Sequence, residues 1–186
     1  KAHLLSARWP QIGRISMAIT RRLGLVYRSG DGEVIHGEPH PARAMPLLSA
    51  VLVRRQLASL PAVLAHKREL ARRYHAALAQ LPRLRQWDAP DTHWVRYPFA
   101  LPRPVADKAA LARRLSAASG LNIGVWFDDV IHPAGSYRHG YQAGDAPCGE
   151  RLAATVLNLP MNIALGADAA LERKLARLVA ALEREI

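Results

Sequence analysis

The sequence predicts an α+β fold led by a long helix, and three observations carry that expectation. Apolar residues recur at three- and four-residue steps from Leu47 to Leu81, the spacing of one helix face. After Pro82 the pattern alternates between short apolar runs of strand character and amphipathic segments of helical character. Finally, half of the 186 residues are hydrophobic and 22% are charged, which is enough apolar material to bury a real core.

Taken in order, residues 1–30 hold Ile12, Ile15, Met17, Ile19, Leu23 and Leu25 among Arg14, Arg21 and Arg22. Their mixed periodicity permits a helix over about 11–23. Ser29-Gly30-Asp31-Gly32 is a turn, and Pro39-His40-Pro41 prolongs the irregular connection. This seam separates an arm, or the end of an upstream domain, over residues 1–36 from a domain over 37–186. Pro46 suits the first turn of the long helix. Pro61 has no N–H to donate and should kink or split that helix. His93 to Leu101 reads as a strand, Asp107 to Ala118 as a helix closed by Gly120, and Leu121 to Phe127 as a second strand. Residues 128–146 form a long loop rich in Gly, His, Tyr and Asp, a length that usually serves function. Pro147 opens a helix to about Val156, Leu157 to Pro160 is a short strand, and Gly166-Ala167-Asp168 caps a last helix.

Several classes are excluded or disfavoured. No apolar run reaches the ~18–20 residues of a membrane span. Arg8, Pro10 and Arg14 interrupt any signal-peptide core, so Lys1 reads as an internal residue of a longer cytoplasmic chain. The single Cys148 rules out an intramolecular disulfide, and in its Gly/Pro-rich setting it reads as a small half-buried residue, not a nucleophile. The net charge of +11 lies wholly in residues 1–85, where 15 basic residues face 4 acidic ones. Arginines outnumber lysines 22 to 4, which favours fixed, forked recognition of anions.

Three segments carry a family likeness. Arg43-Ala44-Met45-Pro46-Leu47-Leu48-Ser49-Ala50, running on to Gln56-Leu57, resembles an Arg-Met-Ser-Pro-Leu-Gln-Ala-Ala turn that opens a long helix. Lys67-Arg68-Glu69-Leu70-Ala71-Arg72-Arg73-Tyr74 resembles an Arg-Arg-x-x-Ala-x-x-Tyr motif. Gly140-Tyr141, Pro147, Glu150-Arg151-Leu152-Ala153 and Val156-Leu157-Asn158-Leu159-Pro160 resemble a tail in which a proline and an acidic helix lead to a Leu-Pro pair. In this order they resemble the C-terminal small domain of the DegT/DnrJ/StrS aminotransferases, enzymes of fold type I that use pyridoxal phosphate (PLP). The likeness covers roughly residues 37–186. It implies a small, mostly antiparallel sheet covered by helices, with the leading helix kinked near Pro61. It also implies a homodimer that carries an amino group, commonly from glutamate, to a keto-sugar nucleotide for polysaccharide building.

Two departures accompany the likeness. The family holds PLP on a lysine in a Ser-x-x-x-x-Lys context, because only an amine forms the imine. None of Lys1, Lys67, Lys108 and Lys174 has that context, so this chain by itself is expected not to transaminate and to hold no catalytic residue. The family also places an Asn before the Arg of the turn, where it reaches the cofactor phosphate in the partner subunit. Pro41 stands there instead.

The resemblance assigns substrate contact to Arg43, beside a helix start that favours anions, and to His132, Tyr137 and Tyr141 of the long loop. Ile131-His132-Pro133 is similar to a family Leu-His pair. Against this stand a solvated surface arginine and a mobile polar loop. His132, His139, Asp128 and Asp129 lack the spacing of a zinc motif, so no metal is expected. Trp94 and Trp126 read as packing residues, and Asp128-Asp129 as a turn. Two rivals remain. One is a basic nucleic-acid-binding module, which the charge favours but no recognition motif supports. The other is a non-catalytic dimerisation remnant, which the missing lysine and Pro41 keep open.

Overall fold

In the computed structural model the described residues are 15–16, 18–20, 22–23, 45–87, 89, 92–127, 129–130, 140–162 and 164–186. The chain divides into two compact units, Lys1–Ala44 and Met45–Ile186. In the first, the backbone is helical at 15–16, 18–20 and 22, and Thr20 Oγ1 donates to the Ser16 carbonyl at 2.8 Å.

The second unit begins with α1 (Leu47–Ala58) and α2 (Leu60–Leu78), which are bent by 54° where they meet. The expected long kinked helix is therefore two helices. Pro61 sits in the first turn of α2, where its missing N–H leaves no ladder bond unmade. In α1 the Ser59 N–H turns back to the Gln56 carbonyl at 3.1 Å, closing the helix before the proline. The apolar periodicity marks one face of the expected long helix, but that face is not buried along its whole length. α1 buries no residue, and Leu47, Leu48, Val51, Leu52 and Leu57 are exposed. Burial starts at Leu70 and continues through Ala71, Tyr74, Ala77 and Leu78.

β1 (Arg96–Ala100) pairs antiparallel with β2 (Val156–Pro160), with Tyr97 opposite Leu159 and Phe99 opposite Leu157. Those four residues join the core, whereas Arg96, Pro98 and Asn158 belong to the other face by strand alternation. Isolated antiparallel bridges extend the order on both sides, Arg85 to Ala100 beyond β1 and Gly124 to Asn158 beyond β2. The expected second strand over Leu121–Phe127 is thus reduced to the single bridge at Gly124.

α3 (Lys108–Ser119) starts on Asp107, whose carboxylate accepts the Ala110 N–H at 2.7 Å. It ends on Gly120 at φ 73°, a left-handed conformation that favours glycine. α4 (Pro147–Thr155) leads directly into β2. α5 (Ala169–Glu185) is capped by Asp168, which accepts from the N–H groups of Ala170 at 2.9 Å and Leu171 at 3.1 Å. α5 packs on α2 and α3. Its Leu171, Leu175, Leu178 and Leu182 meet Phe99, Leu111, Leu115, Leu157 and Tyr74 in one core. Across that core the buried Tyr74 hydroxyl donates to the Pro160 carbonyl at 2.8 Å. This bond ties α2 to the end of β2.

Among the described residues no single helix is long and apolar enough to cross a membrane. The bent pair α1 and α2 meets the length and composition only when taken together.

Candidate functional site

Of the residues predicted to contact substrate, Arg43, His132 and Tyr137 lie outside the described residues, as do Pro41, Asp128 and His139. Tyr141 is half-buried, and its hydroxyl donates to Glu150 of α4. The N–H of Gly144, at φ 99°, donates to the same carboxylate oxygen at 2.6 Å. These donors, Tyr141 first and then Gly144, hold the Glu150 carboxyl below its usual range. The Tyr141–Glu150 bond fastens the end of the long loop to the start of α4, so the described role of this hydroxyl is to position the loop.

Lys108 occupies a buried place at the start of α3. Its ammonium donates to the carbonyls of Phe127, at 2.8 Å, and Ala153. Those contacts join α3, the segment after Gly124 and the end of α4. Cys148 is exposed rather than half-buried, with Arg151 Nη2 3.2 Å from its sulfur. Asp129 accepts the Val130 N–H at 2.7 Å, consistent with a turn. Among the described residues no group of three or more His, Cys, Asp or Glu side chains could hold a metal ion.

Two concave regions stand out. The first is a cavity of about 140 Å³ between α2 and the chain entering β1, walled by Trp87, Trp94, Tyr97, Ala71, Arg72 and His75. Trp94 packs partly buried against the core, as the sequence indicated, and meets Tyr97 edge-on at 6.2 Å. The Tyr97 hydroxyl donates to Gln86 Oε1 at 3.0 Å and lies 3.2 Å from His75 Nδ1. Burial pushes that hydroxyl up to about 12.

The second is a pair of adjoining basins on the sheet face away from the core, of about 280 and 540 Å³. They share Arg96, Asn122 and Trp126. The smaller one also has Gly124 and Asn158 in its wall, and the larger has Lys174 and Asn162. Trp126 is 46% exposed, so of the two packing places the sequence leaves open to it, core or strand edge, it does not take the core. It stacks on Phe127, with ring planes 8° apart, and the Arg96 guanidinium lies 5.4 Å from its ring centre. The bridge at Gly124 brings Trp126 to the sheet's outer face. A Cβ at Gly124 would come within 3.9 Å of Arg96 Nη1.

Sequence reasoning missed Arg96, Asn122 and Asn158. A readable signal existed for one of them: Asn158 is the lone polar residue in the apolar run Val156-Leu157-Asn158-Leu159-Pro160. Nothing local marks Arg96 or Asn122, because their meeting depends on the pairing of segments distant in sequence.

The architecture, an antiparallel β-pair backed by helices α2, α3 and α5 and entered from a bent helical lead, defines an α+β domain of the kind the sequence motifs anticipated. Residues 24–175 match the family model of the DegT/DnrJ/EryC1/StrS aminotransferase family. The chain belongs to that family. No curated protein matches it.

Proposed function

We propose that this chain is part of a PLP-dependent aminotransferase that acts on keto-sugar nucleotides in the cytoplasm, with residues 37–186 as its small domain. The observation that supports this reading is the family match over residues 24–175. Glutamate is the proposed amino donor. The proposed substrate contacts are Arg43, His132, Tyr137 and Tyr141, the last through a loop held in place by Glu150.

The described residues do not fit a complete PLP cradle. Lys108 spends its ammonium on backbone carbonyls, and Lys67 and Lys174 sit within α2 and α5. No chemical step is therefore assigned to this chain's own side chains. Its part in the reaction is to shape and line a site whose amine-bearing lysine comes from elsewhere in the enzyme. A homodimer is included in the proposal. The exposed leucines and valines of α1 offer apolar surface that association would cover.

The test is the intact mass of the natural gene product before and after borohydride reduction. The proposal expects a mass well above 20.5 kDa and one reduced PLP adduct outside these 186 residues. In that same protein, Arg43→Ala should raise KM for the sugar nucleotide. A 20.5 kDa product without adduct would leave the dimerising remnant as the reading, supported by the apolar exposure of α1.

A further inference from the structure

The cavity of about 140 Å³ between α2 and the chain entering β1 has alanines at three places in its lining, Ala71 and Ala76 on α2 and Ala89 on the returning chain. None has an atom beyond Cβ, so the space that longer side chains would fill stays open. Trp87, Trp94 and Tyr97 complete the wall. These rings are braced. Trp94 meets Tyr97 edge-on at 6.2 Å, and Tyr97 meets the fully buried Tyr74 at 5.6 Å. The Arg85 guanidinium lies 5.6 Å from the centre of the Trp87 ring. A gap lined by apolar atoms forfeits dispersion contacts and costs stability unless something fills it.

Size and wall chemistry select the occupant. An apolar cavity of about 150 Å³ admits one benzene ring, and aromatic walls favour an aromatic guest packed edge-on or offset. The polar residues of the lining, Arg72 and His75, are both exposed, so its polar side is the solvent side. The Arg72 charge is already matched by Glu69 at 2.8 Å, so an anion gains little there. Arg85 beside Trp87 disfavours a cation, and no carboxylate lines the cavity among the described residues. An uncharged ring with a polar substituent meets all of these conditions.

We infer that this cavity binds a small uncharged aromatic alcohol, its ring against Trp87, Trp94 and Tyr97 and its hydroxyl toward Arg72 and His75. The ring takes the space left by the three alanines and restores the contacts their short side chains leave unmade. The inference uses none of the residues assigned to sugar-nucleotide contact and stands apart from the aminotransferase reading.

The experiment is a titration of the ¹⁵N-labelled 186-residue chain with benzyl alcohol. The indole N–H signals of Trp87 and Trp94, identified by their loss in Trp87→Phe and Trp94→Phe, are the reporters. Both should shift saturably, while that of the exposed Trp126, outside the cavity, stays in place. Cyclohexylmethanol has no π-face and benzylammonium carries a charge. Each should bind at least about fivefold more weakly, the worth of one aromatic contact. Ala71→Leu fills the cavity from the helix side and should abolish saturation. Trp87→Ala removes a wall and should weaken binding at least about fivefold, with the urea midpoint showing that the fold persists. Absence of saturation overturns the inference. So does a Trp126 shift that tracks the other two, which marks general association with apolar surface. Equal affinity for the three compounds overturns it as well, and so does unchanged affinity in Trp87→Ala, whatever Ala71→Leu does to the fold.

Discussion

Tyr74 and Tyr97 are neighbours whose rings meet edge-on at 5.6 Å, yet losing their hydroxyls should have unequal effects. Tyr74 is fully buried, and its hydroxyl donates to the Pro160 carbonyl at 2.8 Å. In Tyr74→Phe the ring stays and no apolar contact is lost. What goes is one hydrogen bond, leaving a carbonyl that water does not reach. Stranding a buried acceptor in this way costs about 1–3 kcal/mol. For a domain of this size that is a fall in Tm of about 3–12 °C. Tyr97 is buried as well, but its hydroxyl bonds Gln86 and lies 3.2 Å from His75, neither of them buried. Water can replace it there, so Tyr97→Phe should cost less than about 1 kcal/mol. Urea unfolding of the three proteins, followed by circular dichroism, measures the difference through midpoints at unchanged slope. Equal destabilisation by the two variants, or a neutral Tyr74→Phe, would refute the reasoning that solvent access decides the cost.

Stability should be flat across neutral pH and fall on both sides. The carboxyls of Glu69, Glu150, Asp168 and Glu185 are held below their usual range, by Arg73, Tyr141, the Leu171 N–H and Arg114 respectively. Their stabilisation is complete above the ordinary carboxylate value of about 4 and is lost as pH falls below it. Burial raises the Tyr74 hydroxyl and pushes that of Tyr97 up to about 12. Those contributions are complete below about 10 and are lost as pH rises through 10 toward 12. Urea midpoints against pH check both limbs, and Tyr74→Phe should make the alkaline fall shallower. Gly120→Ala tests the end of α3: a Cβ there meets only ordinary contacts at 3.8 Å, so the expected loss of about 1 kcal/mol is backbone strain alone. An unchanged Tm in that variant would mean the chain reaches φ 73° without strain.

Local chemistry was legible wherever one residue decides a boundary. Asp168 is read as a cap because its side chain can reach N–H groups two or three residues on, and it does so; Asp107, read as the first residue of its helix, caps that helix in the same way. Gly120 and Pro147 end and begin helices for reasons contained in their own covalent structure. The periodicity of α1 left burial undecided. Spacing shows which residues share a face, but not whether anything covers that face, and among the described residues α1 has none buried. Trp126 was undecided for a related reason: an aromatic residue after an apolar run reads as packing in the core or at a strand edge, and its place two residues beyond the Gly124 bridge leaves it 46% exposed.

The candidate sites divide along the same line. The family could be read from Arg43 to Pro160 because motifs are short strings of neighbours, and residues 24–175 match the family model. That Tyr141 is bonded to Glu150 was beyond the sequence, since two polar residues nine positions apart on a loop and a helix have many partners open to them. By itself, the sequence determined the α+β class, the Gly120 and Asp168 helix ends and the family, all set by local covalent chemistry and residue order. Only the tertiary structure decided that Arg96, Asn122 and Asn158 share one basin, because strand pairing joins residues that local propensity cannot relate.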